Sequence, residues 1–250
     1  MASVAFLLAA LPAVLVTGVS KGGFGGGLGI IAVPLMSLVI PPAKAAAIML
    51  PLLCLMDLIG LRAYRQRWDG RVLKVMLPGA AVGIGLGGLA FGYLDESLVR
   101  LLLGTIAAVF AGKYFVGGRA GRPAEAHRPA LGGFWGMVAG FTSTLAHAGG
   151  PPVNVYLLPL RLDKTIFVGT VVVFFAVTNA VKLGPYAALG LFGREVLTTS
   201  LVLAPVAAAG MGLGVWLHSR VNDRVFYGVC YLFVLLTGLK LINDGLRGLW

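Results

Sequence analysis

Acidic residues are scarce in this chain. Asp and Glu number 9 against 20 Lys and Arg, and all four together make up 12% of the 250 residues. With 58% hydrophobic residues and a mean hydropathy of +0.93, there is more apolar surface than a soluble core of this size can bury. That excludes an ordinary globular domain and points to an integral membrane protein. Cysteine is nearly absent, and Cys54 and Cys230 lie inside separate apolar runs, so neither a disulfide framework nor a metal site is expected and the two read as lipid-facing or packed thiols. HExxH does not occur. Ser143 and His147 at i,i+4 form the one candidate nucleophile and base pair, which leaves an intramembrane hydrolase as the weakest functional reading. Long polar stretches are missing too: the longest, Gly117 to Ala130, is too short for a soluble domain. A net charge of +11 would suit nucleic acid, but the basic residues sit in short joints between apolar runs, where the positive-inside rule puts them. Nucleic acid is therefore not expected as a partner, and no cofactor is expected. The N-terminal MASVAFLLAALPAVLV has no basic n-region and reads as a retained first segment.

What is present is a succession of apolar runs of about 20 residues, each enough to cross a hydrocarbon core of about 30 Å as a helix. Two runs are interrupted. From Thr17 to Pro34 the sequence is TGVSKGGFGGGLGIIAVP, and from Gly140 to Pro159 it is GFTSTLAHAGGPPVNVYLLP. Each sets a polar cluster beside a break rich in glycine or Gly-Pro: Thr17, Ser20 and Lys21 in the first, and Thr142, Ser143, Thr144, His147 and Asn154 in the second. Glycine and proline weaken a helix, and in lipid the freed backbone groups are tolerated only where protein or a water-filled cavity covers them. Broken helices in corresponding positions of two halves point to a transporter binding site.

In order, Val4 to Ile40 is apolar for longer than one crossing needs, and Pro41-Pro42 ends it. Helices are expected over Lys44 to Leu61, Val72 to Leu94 and Leu98 to Val116. A basic joint with Arg62, Arg65, Arg67, Arg71 and Lys74 is placed in the cytoplasm, Asp95-Glu96 marks the outer joint, and Arg119, Arg122 and Arg128 fill a second basic joint. The second half repeats the first. Asp57 and Tyr64 fall opposite Asn179 and Tyr186 at a spacing of 122, and GIGLG at Gly83 to Gly87 falls opposite GMGLG at Gly210 to Gly214 at 127, as Lys113 does opposite Lys240. The expected organisation is an all-α polytopic membrane protein: a transmembrane repeat over 1–116, a cytoplasmic linker over 117–130 and a second repeat over 131–250. Each half has about four hydrophobic segments and opens with a broken helix or a re-entrant hairpin. Hairpins give three crossings per half and inverted repeats; crossing segments give four and parallel repeats. Arg161, Lys164, Arg220 and Arg224 vote for inversion, and Arg194, Lys240 and Arg247 against it. About 37 residues in the first interrupted run at 1.5 Å each exceed one crossing, which favours hairpins and inversion.

Gly83, Gly85 and Gly88 match a dinucleotide fingerprint, but inside a membrane run with no preceding strand. Gly79, Gly83 and Gly87, spaced four apart, read instead as a face for close helix approach, as do Gly210 and Gly214. Such faces serve contacts within one chain or, in a homodimer, between two.

The chemistry these residues support is anion recognition. A half-helix N-terminus offers unpaired N–H groups and a positive dipole end. Lys21 adds a full charge among Gly22, Gly23, Gly26 and Gly27, which let a ligand meet the backbone, and Ser20, Thr142, Ser143 and Thr144 supply hydroxyls. His147, Gly149, Gly150 and Asn154 complete the second motif. Each polar residue also has a structural reading: hydroxyls bonded to their own helix, Lys21 paired with Asp57 or snorkelling, His147 linking helices, Asn154 fixing the hairpin. Asp57 and Asn179 occupy matched places, one acid and one amide. They suggest a proton or cation site, with Asp57 and His147 as the coupling candidates, unless Asp57 merely pairs with Arg62 or Arg65 at the interface. Lys182 shares a helix face with Asn179 and serves either a substrate pathway or the membrane surface. A secondary carrier fits the duplication and the breaks; an anion channel would use the same parts.

SKGGFGGGLGIIAVPLM and AHAGGPPVNVYLLPLRLDKTIFVGT, with the two related halves, resemble the TauE/SafE family of membrane transporters, also called toluene sulfonate uptake permeases, over essentially the whole chain. The resemblance implies multi-pass secondary transport in the bacterial cytoplasmic membrane, with sulfite or an organosulfonate as the small anionic substrate, held between the two motifs. A carboxylate carrier is the alternative substrate reading.

Overall fold

The computed structural model describes residues 4–90, 96–116 and 124–249, apart from the side chains of Ile30, Glu96 and Leu249; Asp95, Arg119 and Arg122 of the expected joints lie outside them. All regular elements among the described residues are helical: α1 (Val4–Phe24), α2 (Ala32–Met36), α3 (Pro42–Ala63), α4 (Gly70–Ala90), α5 (Glu96–Val116), α6 (Pro129–Ala146), α7 (Gly150–Leu157), α8 (Lys164–Ala188), α9 (Arg194–Arg220) and α10 (Asp223–Leu249), with 3-10 turns at Gly29–Ile31 and Leu158–Leu160. Seven of them, α1, α3, α4, α5, α8, α9 and α10, are long and apolar enough to cross a membrane, so this is a multi-pass membrane protein.

Local chemistry sets the boundaries. Pro42 takes the first position of α3, where its missing N–H costs nothing. Asp69 caps α4 by accepting from the N–H groups of Arg71 at 2.8 Å and Val72 at 3.2 Å, and Asp163 caps α8 by accepting from Thr165 and Ile166. These caps move the helix starts a residue or two ahead of the first hydrophobic position.

Both interrupted runs fold back. After α1 the chain turns at Gly25 and Gly26, both at positive φ (72° and 76°), and returns through α2 until Val39 and Ile40 share a groove with Phe6 and Leu7 at the start of α1. After α6 it turns at His147, in the left-handed region at φ 50°, and returns through α7 until the carbonyl of Pro159 accepts from the N–H of Glu125 (3.0 Å), ahead of α6. The two runs are helical hairpins rather than single interrupted crossings.

The directions of the helices follow from their glycine seams. A Cβ on Gly79 would lie 2.2 Å from the Gly133 carbonyl oxygen and one on Gly83 2.0 Å from that of Met137, so numbers rise together and α6 runs parallel to α4. Gly210 meets Leu15 and Gly214 meets Val19, so α9 runs parallel to α1. On α10, Gly238 meets Gly104 and Gly245 meets Leu101, so α10 runs antiparallel to α5. The glycine faces singled out in the sequence are thus closed within the chain by backbone-to-backbone approach. The hairpins enter from opposite ends. The α1 tip points toward the end where α3 finishes, α9 finishes and α10 begins, the end rich in Arg65, Arg67, Arg71, Lys164 and Arg220; the α6 tip points toward the other end.

Candidate functional site between the hairpin tips

The hairpins touch where Gly150 meets Gly26: a Cβ on Gly150 would lie 3.0 Å from the Gly26 carbonyl oxygen. Beside this contact is a cavity of about 40 Å³, bordered by Thr17, Lys21, Gly26 and Gly29 of the first hairpin, Ser143, His147 and Gly150 of the second, and Leu53, Phe175 and Asn179 of α3 and α8. It has room for a few waters or one small oxyanion.

Lys21 is 4% exposed and its ammonium lies 2.7 Å from Asp57 Oδ1, over the ring of Phe175 at 5.2 Å. The contact with Oδ1 is an ion pair rather than an aligned hydrogen bond, while Oδ2 accepts from Asn179 Nδ2 at 2.6 Å. Asp57 is 3% exposed. It is therefore not an interfacial partner of Arg62 or Arg65. Lys21 also stands in the last turn of α1, not at a helix N-terminus, so the expected union of Lys21 with a positive dipole end does not hold. A cation is favoured there by the negative end of the helix dipole.

A second cation completes the centre. Lys182, fully buried on α8, donates to the Ser143 carbonyl (3.1 Å), to Ser143 Oγ (2.9 Å) and to His147 Nδ1 (2.9 Å). His147 Nε2 lies 3.0 Å from the Ala46 carbonyl, which only accepts, so Nε2 carries the proton and Nδ1 is the acceptor. Three acceptors around one nitrogen match the three N–H bonds of an ammonium. The sequence flagged Lys182 by its helix face, yet only the fold brings it to the second motif.

The other predicted residues divide by what their polar groups already do. Thr142 and Thr144 donate to the carbonyls of Val138 and Gly140 one turn back, as Thr17 does to Ala13, so their hydroxyl protons are used inside their own helices. Ser20 accepts from the N–H of Leu28 and braces the first turn. Gly22, Gly23 and Gly27 present carbonyls to Tyr64, His218 and Thr237. A Cβ on Gly149 would press on Ser143, Phe175 and the Ala139 carbonyl. Pro151 and Pro152 lack N–H groups, so the amides nearest the start of α7 are those of Gly149 and Gly150. Asn154 is fully buried beside Gly27, and neither polar atom of its side-chain amide has a hydrogen-bond partner among the described residues. His218 and Thr237 carried no motif; nothing in the local sequence marks either one.

Several interactions recur at the spacing of 122. Tyr64 donates to the Gly22 carbonyl and Tyr186 to that of Thr144; Gly26 N–H bonds Ser20 O and Ala148 N–H bonds Thr142 O. Lys21 and Ser143, the two hairpin side chains that meet the cavity from equivalent turns, are also 122 apart. Residues 10–241 match the family described as Sulfite exporter TauE/SafE. No curated protein and no solved structure matches the chain.

Proposed function

The chain belongs to the TauE/SafE family, a transporter family rather than an enzyme family, and from that premise we propose that it is a secondary carrier of a small sulfur oxyanion. Sulfite or a small organosulfonate is the substrate, held between the two hairpin tips. The observation that carries this reading is a cavity between the hairpins bordered by Lys21, Ser143 and His147, with the carboxylate of Asp57 paired behind Lys21 and the ammonium of Lys182 bonded behind Ser143 and His147. Lys21 contacts the anion with the N–H groups that Asp57 leaves over. Ser143 accepts from Lys182 through Oγ, which leaves its own O–H as a polarised donor toward the cavity.

We read the halves as inverted copies. The opposed hairpins, the parallel pairing of α1 with α9 and of α6 with α4, and the contact between Asp57 and its own counterpart Asn179 all suit a two-fold axis in the membrane plane. The first unit is 1–116. Glu125 already bonds the second hairpin, so the linker of 117–130 closes before its expected end. The basic end faces the cytoplasm of a bacterial inner membrane.

A monoanion leaving a cell gains about 2.3 kcal/mol per 100 mV of negative-inside potential, which makes export the default direction. Proteoliposomes loaded with sulfite, given an imposed potential and no pH gradient, test this: potential-driven efflux that saturates and is accelerated by anion on the opposite side is expected. Efflux that ignores the potential and needs a proton gradient would replace uniport export with proton coupling, with Asp57 and His147 as the groups to examine. Non-saturating flux without counterflow would mean a channel.

A further inference from the structure

We propose that the site is built for a singly charged oxyanion, such as hydrogen sulfite or an alkyl sulfonate, and discriminates against dianions such as sulfate; this rests on the anion-carrier reading above. Lys21 borders the cavity, and Asp57 and Lys182 stand one contact behind its lining; with both lysines protonated, this cluster of two ammonium groups and one carboxylate carries +1 without ligand. Lys21 is matched by Asp57 at 2.7 Å. Among the described residues Lys182 bonds only neutral acceptors: the carbonyl and hydroxyl of Ser143 and the Nδ1 of His147.

The remaining groups do not alter this count. His147 is held neutral by the bonds it makes, since a proton on Nδ1 would face the Lys182 ammonium. Asn179, the counterpart of Asp57, is an uncharged amide. A monoanion brings the buried cluster to neutrality. A dianion leaves one negative charge uncompensated beside Asp57, in a cavity of about 40 Å³ with little room for the water that would screen it. The same volume limits the ligand to a small head group in this conformation.

The single acid is therefore the residue that sets ligand charge. Asp57 orients Lys21, and it also subtracts one charge from a site that would otherwise carry +2. The matched position shows that an amide fits such a place, because Asn179 already occupies it on α8.

The experiment is equilibrium binding to the purified full chain in one detergent, with methanesulfonate, sulfate and sulfite as probes. Methanesulfonate should bind about 100-fold more tightly than sulfate, the order expected for one unpaired unit charge in a partly buried site. Sulfite should gain affinity toward acid pH, where hydrogen sulfite predominates, more steeply than methanesulfonate, a monoanion throughout. Asp57→Asn should move the sulfate-to-methanesulfonate ratio toward sulfate by about 10-fold or more. Should that variant fail to fold with Lys21 unmatched, the double variant Lys21→Met, Asp57→Asn restores the +1 count through Lys182 and should keep the monoanion preference at lower affinity. Sulfate binding as tightly as methanesulfonate to the wild type, or a double variant that prefers sulfate, would overturn the charge assignment and leave the carrier reading intact. No binding of any of the three anions to folded wild-type protein would overturn both.

Discussion

The two hairpins reach the centre from opposite ends with the same turn and different side chains. In the first, the carbonyls of Gly22, Gly23, Phe24 and Gly27 are taken by Tyr64, His218, Cys230 and Thr237, from α3, α9 and α10. Phe24 is wedged against Phe226 and Phe233, with ring centroids at 5.9 and 5.5 Å. In the second, the polar holds come from Lys182 and Tyr186 of α8 and from His147 on Ala46, and the apolar surroundings include Phe175, the Tyr186 ring and the small cluster of Leu103, Ala148 and Leu241. One tip inserts its own phenylalanine, Phe24, into the aromatics of α10; the other brings no aromatic carbocycle of its own and rests on a buried cation. In a carrier that opens to each side in turn, the second hairpin is the one with less packing to undo, and the basic end is the more firmly shut in this conformation.

The largest effect should come from the seams on which the hairpins stand. A Cβ on Gly140 would lie 2.2 Å from the Ala80 carbonyl oxygen, and one on Gly22 2.5 Å from that of Met211. Both neighbours are backbone and cannot move aside. Gly140→Val and Gly22→Val should each abolish a monodisperse folded protein, whereas Gly85→Val, with nothing within 4 Å, should behave as wild type. Size-exclusion profiles after mild extraction decide it. A Gly140→Val protein that elutes and melts normally would mean the second hairpin is not pinned to α4.

The next contrast is chemical, between Lys21 and Ser143 at matched positions. An ammonium about 4 Å from an anion at an effective dielectric near 20 is attracted by about 4 kcal/mol; keeping half of that after desolvation gives a loss of about 30-fold in affinity for Lys21→Gln. Lys21→Arg should keep part of the affinity. Ser143→Ala removes a neutral donor and should cost about 1 kcal/mol, or about 5-fold. Arg65→Gln, exposed at the basic end, should change nothing. Affinities measured side by side in one detergent check the order, and a well-folded Lys21→Gln that binds like wild type would leave recognition to Ser143 and the α7 amides.

Much of this architecture was legible because it is written in one-dimensional signals. Glycine and proline mark the breaks, hydropathy marks the spans, and the recurrence of Asp57 with Tyr64 as Asn179 with Tyr186 marks the pairing. What could not be read is what depends on three-dimensional closure. Whether Asp57 looks to Arg62 or to Lys21 is decided by α1 passing α3, since two helices apart in sequence must first be brought side by side. His218 and Thr237 act only because α9 and α10 end or pass beside a glycine tip. Lys182 was visible as a polar residue on the Asn179 face, but its meaning comes from the neutral acceptors of Ser143 and His147 that the fold gathers round it, and that gathering has no sequence signature.

A smaller effect separates the tyrosines. Tyr64→Phe and Tyr186→Phe each leave one buried carbonyl without its donor, which should cost about 1 kcal/mol of stability apiece. Their effect on binding should differ. The first tip keeps His218, Cys230 and Thr237, while Thr144 adjoins Ser143 in a tip with fewer holds, so Tyr186→Phe should weaken anion binding more. Equal losses of affinity in the two variants would show the second tip to be as firmly set as the first.

The smallest effect is expected at Asn154, whose matched position in the first hairpin is Ala32. Both are fully buried, but the alanine side chain brings no polar atoms, while the Asn154 amide lies beside Gly27 with no hydrogen-bond partner among the described residues for either its oxygen or its nitrogen. An unsatisfied buried amide costs about 1–3 kcal/mol, and leucine is close to asparagine in length while adding no polar group. Asn154→Leu should therefore raise the melting temperature of the ligand-free protein, by the equivalent of about 1 kcal/mol after some loss to overpacking. If the amide is kept because it meets the anion or the tip in another step of the cycle, the same variant should show a smaller upward shift on adding substrate, since a ligand that binds only the native state stabilises it in proportion to its affinity. Melting curves with and without methanesulfonate read both quantities at once. A lower melting temperature without ligand would mean that Asn154 braces the second tip as Thr237 braces the first, and the contrast between the hairpins would then rest on Lys182 and the aromatic wedge alone.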